Sequence, residues 1–339
     1  MATIVIFGGS GFIGSHLTES LLQDNPEHMI VLFDLNPPRV ASYTKLAQQA
    51  LAKGNAIAIQ GDVRLPITHS QLPAKADLII NLAAVHREPG HKPQEYYETN
   101  LLGAENVCAY AERVQCRHMV FTSSISPYGP SEECKTEESL PVPATPYGGS
   151  KLVAEKIHIA WGKAGPNRQL LIMRPGVVYG PGEGGNVTRM VRSIVKGYFV
   201  YLGNQATRKA GGYVKELCAV ITFGLEYQGR TGESLTLLNF SFHPTPRMER
   251  YVEAISSAAG IRRHPLSIPR FMLMGISYPV DMLSKLLGIH QPVNPVRVRK
   301  LFHSTYIEAA RLSDLKYPWK YTMEEAFRDW KRDLPEDFE

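Results

Sequence analysis

Short apolar runs, rich in β-branched residues, punctuate the first half of the chain at Ile4–Phe7, Ile30–Phe33, Ile57–Ile59, Leu78–Ile80, Met119–Phe121 and Leu170–Met173. Between them lie longer stretches with apolar residues at helical spacing, notably Tyr96 to Val114 and Tyr147 to Trp161. Continuous apolar strands alternating with helices predict a parallel sheet buried on both faces, because a strand with one wet face would alternate in polarity. Right-handed crossovers then give an α/β, doubly wound Rossmann-type domain. After about Tyr179 the pattern changes. A Gly/Pro-rich stretch, 180–185, leads to a helical segment at Asn186–Lys196, a second at Val214–Tyr227 and a strand-like run at Ser234–Phe240, with prolines interrupting the remainder. The expected division is a dinucleotide-binding domain over 1–179 plus about 211–240. A smaller mixed substrate-binding portion would cover 180–210 and 241–339.

Bulk properties bound the function loosely. The chain has 339 residues, 44% hydrophobic and 20% charged, with a net charge of +5. That charge admits an anionic small ligand without arguing for nucleic acid. The four cysteines, Cys108, Cys116, Cys134 and Cys218, show neither CxxC spacing nor a histidine partner at metal spacing, so reduced thiols and no metal are expected. The N-terminal segment begins a strand without a signal-peptide pattern, and the apolar run Phe271–Val280 is too short to span a bilayer. A cytoplasmic protein is the expectation.

Two constellations carry chemistry. Gly8, Gly11 and Gly14 follow the first strand and open a helix, in the spacing GxxGxxG. Such a turn brings backbone N–H groups and a helix N-terminus to a pyrophosphate, although glycine clusters also serve plain structural turns. Asp34 ends the second apolar run, where a carboxylate can accept both hydroxyls of an adenosine ribose. The same charge would repel a 2′-phosphate, favouring NAD over NADP; the nearby Arg39 weakens that preference, and a loop-capping acid is the alternative reading.

The second constellation is Thr145-Pro146-Tyr147-Gly148-Gly149-Ser150-Lys151, a helix start with Thr145 as N-cap and Pro146 at the first helical position. Tyr147 and Lys151, four apart, share one face. An ammonium near a phenol stabilises the phenolate and moves tyrosine toward general acid/base work. Thr122, Ser123 and Ser124, at the end of the preceding strand, are candidate hydroxyl partners in the same cleft, or simply a turn.

Seven segments in order, GGSGFIGSHL (8–17), GDVR (61–64), NLAA (81–84), TNLLGAENV (99–107), FTSSISPYG (121–129), PYGGSKLVAEK (146–156) and RPGVVYGPGEG (174–184), are those of a known family. The chain resembles the extended short-chain dehydrogenase/reductases, which include nucleotide-sugar epimerases and dehydratases and 3-beta-hydroxysteroid dehydrogenases. The resemblance implies NAD as cofactor, held by Gly8, Gly11, Phe12, Ile13, Gly14, Asp34, Asp62, Val63, Leu82, Ala83, Ala84, Asn100, Tyr147, Lys151, Pro175 and Val177. It selects Ser124 as the hydroxyl that assists Tyr147, and implies substrate contacts from His86, Ser124, Ser126 and Asn186. It further implies a homodimer packed through the two long helices.

Departures from the family pattern narrow the reaction. Dehydratases carry an Asp-Glu pair after the catalytic hydroxyl; Ile125-Ser126-Pro127 offers no carboxylate there. Epimerisation or simple carbinol/ketone redox remains, most naturally on a nucleotide-linked sugar. Val177 stands where many sugar-nucleotide epimerases have Asn, and Lys209 to Gly212 where they have Arg, with Arg208, Lys209, Arg189, Arg192, Arg297 and Arg299 as substitute cations. These features, and the apolar stretch Phe271–Leu287, keep a hydroxysteroid-type dehydrogenase as the alternative. A non-catalytic NAD-binding regulator is the reading of a different class.

Overall fold

The computed structural model describes residues 1–38, 44–86, 90–268 and 303–339. The expectations at Arg39, Arg297, Arg299 and the apolar stretch 271–287 lie outside those residues. The strands in chain order are β1 (Thr3–Phe7), β2 (Met29–Asp34), β3 (Ala56–Gln60), β4 (Leu78–Asn81), β5 (His118–Thr122), β6 (Ser131–Lys135), β7 (Gln169–Pro175), β8 (Val177–Tyr179), β9 (Tyr201–Leu202), β10 (Gly211–Tyr213), β11 (Leu235–Phe240), β12 (Ser267–Ile268) and β13 (Thr305–Ile307). The helices are α1 (Phe12–Asp24), α2 (Lys45–Lys53), α3 (Pro93–Arg113), α4 (Pro146–Ala164), α5 (Asn186–Lys196), α6 (Val214–Thr231) and α7 (Met248–Ala259), with a further helix at Met323–Asp333.

Seven strands form one parallel sheet in the order β11-β7-β5-β4-β1-β2-β3. The doubly wound sheet read from the apolar runs is therefore the one observed. Its physical signature is the pleat of β1. Ile4 and Ile6 enter the core under α1 and α6, while Val5 and Phe7 enter the opposite core under α3 and α4. Side chains alternate across a strand, so a strand covered on both faces must be apolar at every position. The strand order reverses at β1, whose neighbours are β2 and β4. In such sheets a crevice opens outside the C-terminal ends of the strands at that switch point.

A third core joins Tyr179, Val191, Tyr213, Phe242 and Tyr251 to Phe327 and Trp330 of the C-terminal helix. Tyr179 stacks on Phe327 with ring centres 4.9 Å apart. Three parallel strand pairs were not legible as strands: β6 with β13, β8 with β10, and β9 with β12. Each is too short to show periodicity. α3 also begins at Pro93, three residues before the predicted start, with Pro in the first turn and the Glu95 carboxylate accepting from the Lys92 amide at 3.2 Å.

Candidate active site

The Gly loop joins β1 to α1 at the switch point. Gly8 has φ +76°, a left-handed conformation, and a Cβ there would lie 2.7 Å from the Ala83 nitrogen. The loops following β1 and β4 thus touch backbone to backbone, which only glycine permits. A Cβ at Gly14 would lie 2.5 Å from the Gly9 carbonyl oxygen, so Gly14 closes α1 onto its own loop. α1 begins at Phe12 with Gly11 as N-cap and no side chain capping it. Asp34 stands at the end of β2, where its carboxylate accepts from the Ser10 and Asn36 amides at 3.1 and 3.0 Å. An acid is therefore held against the Gly loop.

Asp62 and Val63 divide their tasks. The Asp62 carboxylate pairs with Arg64 at 2.6 Å, and that guanidinium holds it below the usual carboxylate range. Val63 is buried against Gly103, and its carbonyl accepts from Asn106 at 2.8 Å. Leu82, Ala83 and Ala84, half-buried, continue from β4; the Leu82 amide donates to Phe7 O at 2.8 Å and the Ala83 amide to Asn81 Oδ1 at 3.2 Å. Asn100 is buried on α3. It accepts from the Val85 amide at 2.9 Å and donates to Ser150 Oγ at 2.8 Å.

At α4, Thr145 accepts from the Gly148 amide at 3.1 Å and Pro146 opens the helix, as its sequence predicts. Tyr147 is half-buried, its ring 6.0 Å from that of Tyr96. Lys151 is wholly buried. Its Nζ donates to Thr122 O at 2.7 Å and lies 4.4 Å from the centre of the Phe121 ring. Removal from water pulls its ammonium down to about 7, against the opposing pull of Glu155. Beside it, Ser124 Oγ donates to Ser126 Oγ at 3.1 Å and accepts from the Ser126 amide at 3.1 Å. The Ile125 amide bonds Pro175 O at 3.0 Å, which brings the loop after β5 onto the end of β7. Val177, 48% exposed, follows two residues later.

His86, five residues past the end of β4, is exposed. Asn186 is the first residue of α5, exposed, with Oδ1 accepting from Arg189 at 2.6 Å. The proposed substitute cations are engaged within the protein: Arg192 with Asp337 at 2.7 Å, Arg208 with Thr245 O at 2.7 Å and the Tyr306 ring, and Lys209 with His303 O at 2.6 Å. Burial pulls the Lys209 ammonium down to about 8.

Sequence reading missed the buried group behind this cluster. Glu155 takes a bidentate pair from Arg174, at 2.8 and 2.6 Å, and a hydrogen bond from Ser123 Oγ at 2.5 Å. The available signal was helical spacing: Glu155 lies one turn beyond Lys151. Asn81 Nδ2 bonds Nε2 of His158 at 3.2 Å, and the His158 ring stacks on Phe121 at 4.0 Å. Nδ1 of His158 faces Ala154 O at 2.7 Å, so the ring is the neutral tautomer that donates there, its pKa lowered by burial to about 4.

A Gly-lined turn at an uncapped helix start, an acid at the end of β2, and a buried lysine one helical turn from a tyrosine all converge on one sheet edge. The donor set fits a dinucleotide: amides and helix N-terminus for the pyrophosphate, Asp34 for a ribose, and Lys151 for the other ribose. A Cβ at Gly11 would meet only Gly8 O, at 3.3 Å, so the loop leaves space for a close ligand. Fold and site define an NAD-dependent epimerase or oxidoreductase of the extended short-chain dehydrogenase/reductase type. The model of the NAD dependent epimerase/dehydratase family matches residues 4–237, and the chain belongs to that family.

One relative is an N-acetyl-alpha-D-glucosaminyl-diphospho-ditrans,octacis-undecaprenol 4-epimerase of Escherichia coli O157:H7. It is 27% identical over 321 residues, covering 94% of this chain and 91% of the relative. A bifunctional UDP-glucose 4-epimerase and UDP-xylose 4-epimerase 1 of Pisum sativum is 27% identical over 238 residues, covering 68% of this chain and 66% of its own. Among solved structures, the UDP-glucuronic acid 4-epimerase of Bacillus cereus in complex with NAD aligns with a TM-score of 0.74 at 18% identity, over 99% and 100% of the two chains.

Proposed function

We propose that this chain inverts C4 of a sugar carried on a diphosphate, with NAD recycled in place. The observation that carries this reading is Lys151 of α4 bonded to Thr122 O at the end of β5, with Tyr147 one helical turn before it and Ser124 two residues past Thr122, and no carboxylate in Ile125-Ser126-Pro127 to drive elimination. NAD supplies, when bound, the acceptor and then the donor of hydride. Lys151 would present to its ribose the two N–H groups not used on Thr122, and its charge would keep the Tyr147 phenol acidic. Tyr147 takes the proton of the sugar hydroxyl on oxidation and returns it on reduction. Ser124 steadies the oxygen on which charge develops. Asp34 and the Gly loop bind the adenosine and pyrophosphate, assisted by the other cofactor residues named above.

A polyprenol-linked glycosyl diphosphate is the second reading of the carrier. It is favoured by the relative from Escherichia coli, which is matched along nearly its whole length. Val177 in place of the usual Asn and the engaged Lys209 also point away from an ordinary nucleotide site. Residues 1–179 with about 211–240 would bind the dinucleotide, and 180–210 with 241–339 the substrate, through His86, Ser126 and Asn186. A homodimer through α3 and α4 is supported by the exposed Tyr97, Leu102 and Val153 on those helices. The four free cysteines fit a cytoplasmic location, and no helix of the described residues is long and apolar enough to cross a membrane.

The test is to denature the purified protein, identify what it releases, and then assay C4 interconversion by NMR. UDP-sugars and an undecaprenyl-diphospho-sugar serve as substrates. Retained NAD with interconversion of either carrier supports epimerisation. Reversible NAD binding with stoichiometric NADH release would replace it with a net dehydrogenase. Tyr147→Phe is expected to lower turnover by at least about 100-fold with NAD binding nearly unchanged; retained turnover removes Tyr147 from the mechanism.

A further inference from the structure

We propose that Glu155 is a positioning residue of this site: its buried carboxylate holds the Lys151 ammonium charged and joins the three segments that carry the chemistry. The proposal rests on the reading of Tyr147 and Lys151 as the working pair. Glu155 is 1% exposed and stands one helical turn from Lys151. Its oxygens receive Arg174, which directly precedes Pro175 at the end of β7, and Ser123, which directly precedes Ser124 after β5. One carboxylate therefore fixes α4, the Ser124 loop and the Pro175 segment relative to each other. Arg174 in turn lies 4.7 Å from the Tyr128 ring, and Tyr128 donates to Asn239 Oδ1 at 2.9 Å, which carries the connection to β11.

Lys151 needs such a counter-charge. Burial pulls the Lys151 ammonium down even with Glu155 acting against it, and a neutral amine would no longer acidify Tyr147. Among the described residues, ionisable groups on the elements packed around the pair include Tyr147 and His158 on α4, Tyr96, Tyr97 and Cys108 on α3, Arg174 on β7 and Tyr128 in the turn after β5. His158 stays neutral and the Cys108 thiol is pushed up to about 12, so neither supplies the charge. Glu155 is the acid that acts on Lys151. A buried ion pair contributes little net stability, so its presence here is better explained by what it holds in place.

The experiment follows Lys151 by carbon NMR of lysine-labelled full-length protein, with its resonance assigned from its loss in Lys151→Met. Glu155→Gln keeps the shape and removes the charge; the Lys151 midpoint is expected to fall by about one pH unit. Arg174→Met leaves the carboxylate unopposed, and the midpoint should rise. The alkaline limb of the turnover profile should move in the same directions. Should Glu155→Gln alone fail to fold, the double variant with Arg174→Met, which strands no buried guanidinium, decides the matter through a lowered midpoint. A Lys151 midpoint unchanged in the folded variants, with activity lost only in step with thermal stability, overturns the proposal. The titration needs no turnover, so a lowered midpoint in a protein that epimerises nothing upholds Glu155 while removing the reaction assigned above.

Discussion

The side-chain amide of Asn100 donates to Ser150 Oγ at 2.8 Å, joining the middle of α3 to the first turn of α4 beside Lys151. The same side chain accepts from the Val85 amide at 2.9 Å and so also holds the loop that follows β4. Ser150 passes the connection on, donating to Tyr147 O at 2.8 Å. A single amide thus ties the turn that carries Tyr147 to the loop abutting Gly8.

Replacing Asn100 by Ala strands the Val85 N–H and loosens both segments. A loss of roughly 1–3 kcal/mol in unfolding free energy is expected, together with weaker NAD binding by titration. Full stability with unchanged affinity would show that water replaces the amide and that the junction is incidental.

On the proposed reading, Asp34 is the acid at the adenosine end. Asp34→Asn removes the charge and leaves a single carbonyl oxygen to accept from the Ser10 or the Asn36 amide. NAD affinity should fall by roughly 10- to 100-fold, the equivalent of a charged hydrogen bond, and preference over NADP should narrow. Equal affinity in isothermal titration removes Asp34 from the ribose site.

Two buried histidines make stability depend on pH. His158 and His16 are each held neutral by burial, with folded pKa values lowered to about 4, against 6.5 when free. The unfolded chain therefore binds these protons first as pH falls. Their contribution is fully present above 6.5 and is lost as pH falls from 6.5 toward 4, by up to about 3 kcal/mol for each. Urea midpoints measured across that interval should decline, and His158→Gln should flatten the decline. An unchanged slope in that variant would exclude His158 as its source.

Much of the fold was legible in the chain because a parallel sheet writes itself locally. Both faces of β1 are covered, so Ile4, Val5, Ile6 and Phe7 all had to be apolar, and the run is visible without knowing its neighbours. The Gly loop, the Thr145 cap and the Tyr147–Lys151 spacing are likewise short-range features, decided by turn geometry and helical pitch. Strands such as Thr305–Ile307 left no such trace, because two or three residues cannot display a period.

Tertiary structure decided everything that depends on partners distant in sequence. Lys151 and Thr122 are 29 residues apart; Glu155 meets Arg174 across 19 and Asn100 meets Ser150 across 50. Whether Arg208 or Lys209 would remain available to an anionic substrate was equally unreadable, since their partners Thr245 and His303 come from later segments. Sequence by itself determined the backbone cradle, the class of sheet behind it and the residue types offered to the cleft. Packing alone determined which charges are buried, because desolvation and pairing are properties of a residue's surroundings in space rather than of its place along the chain.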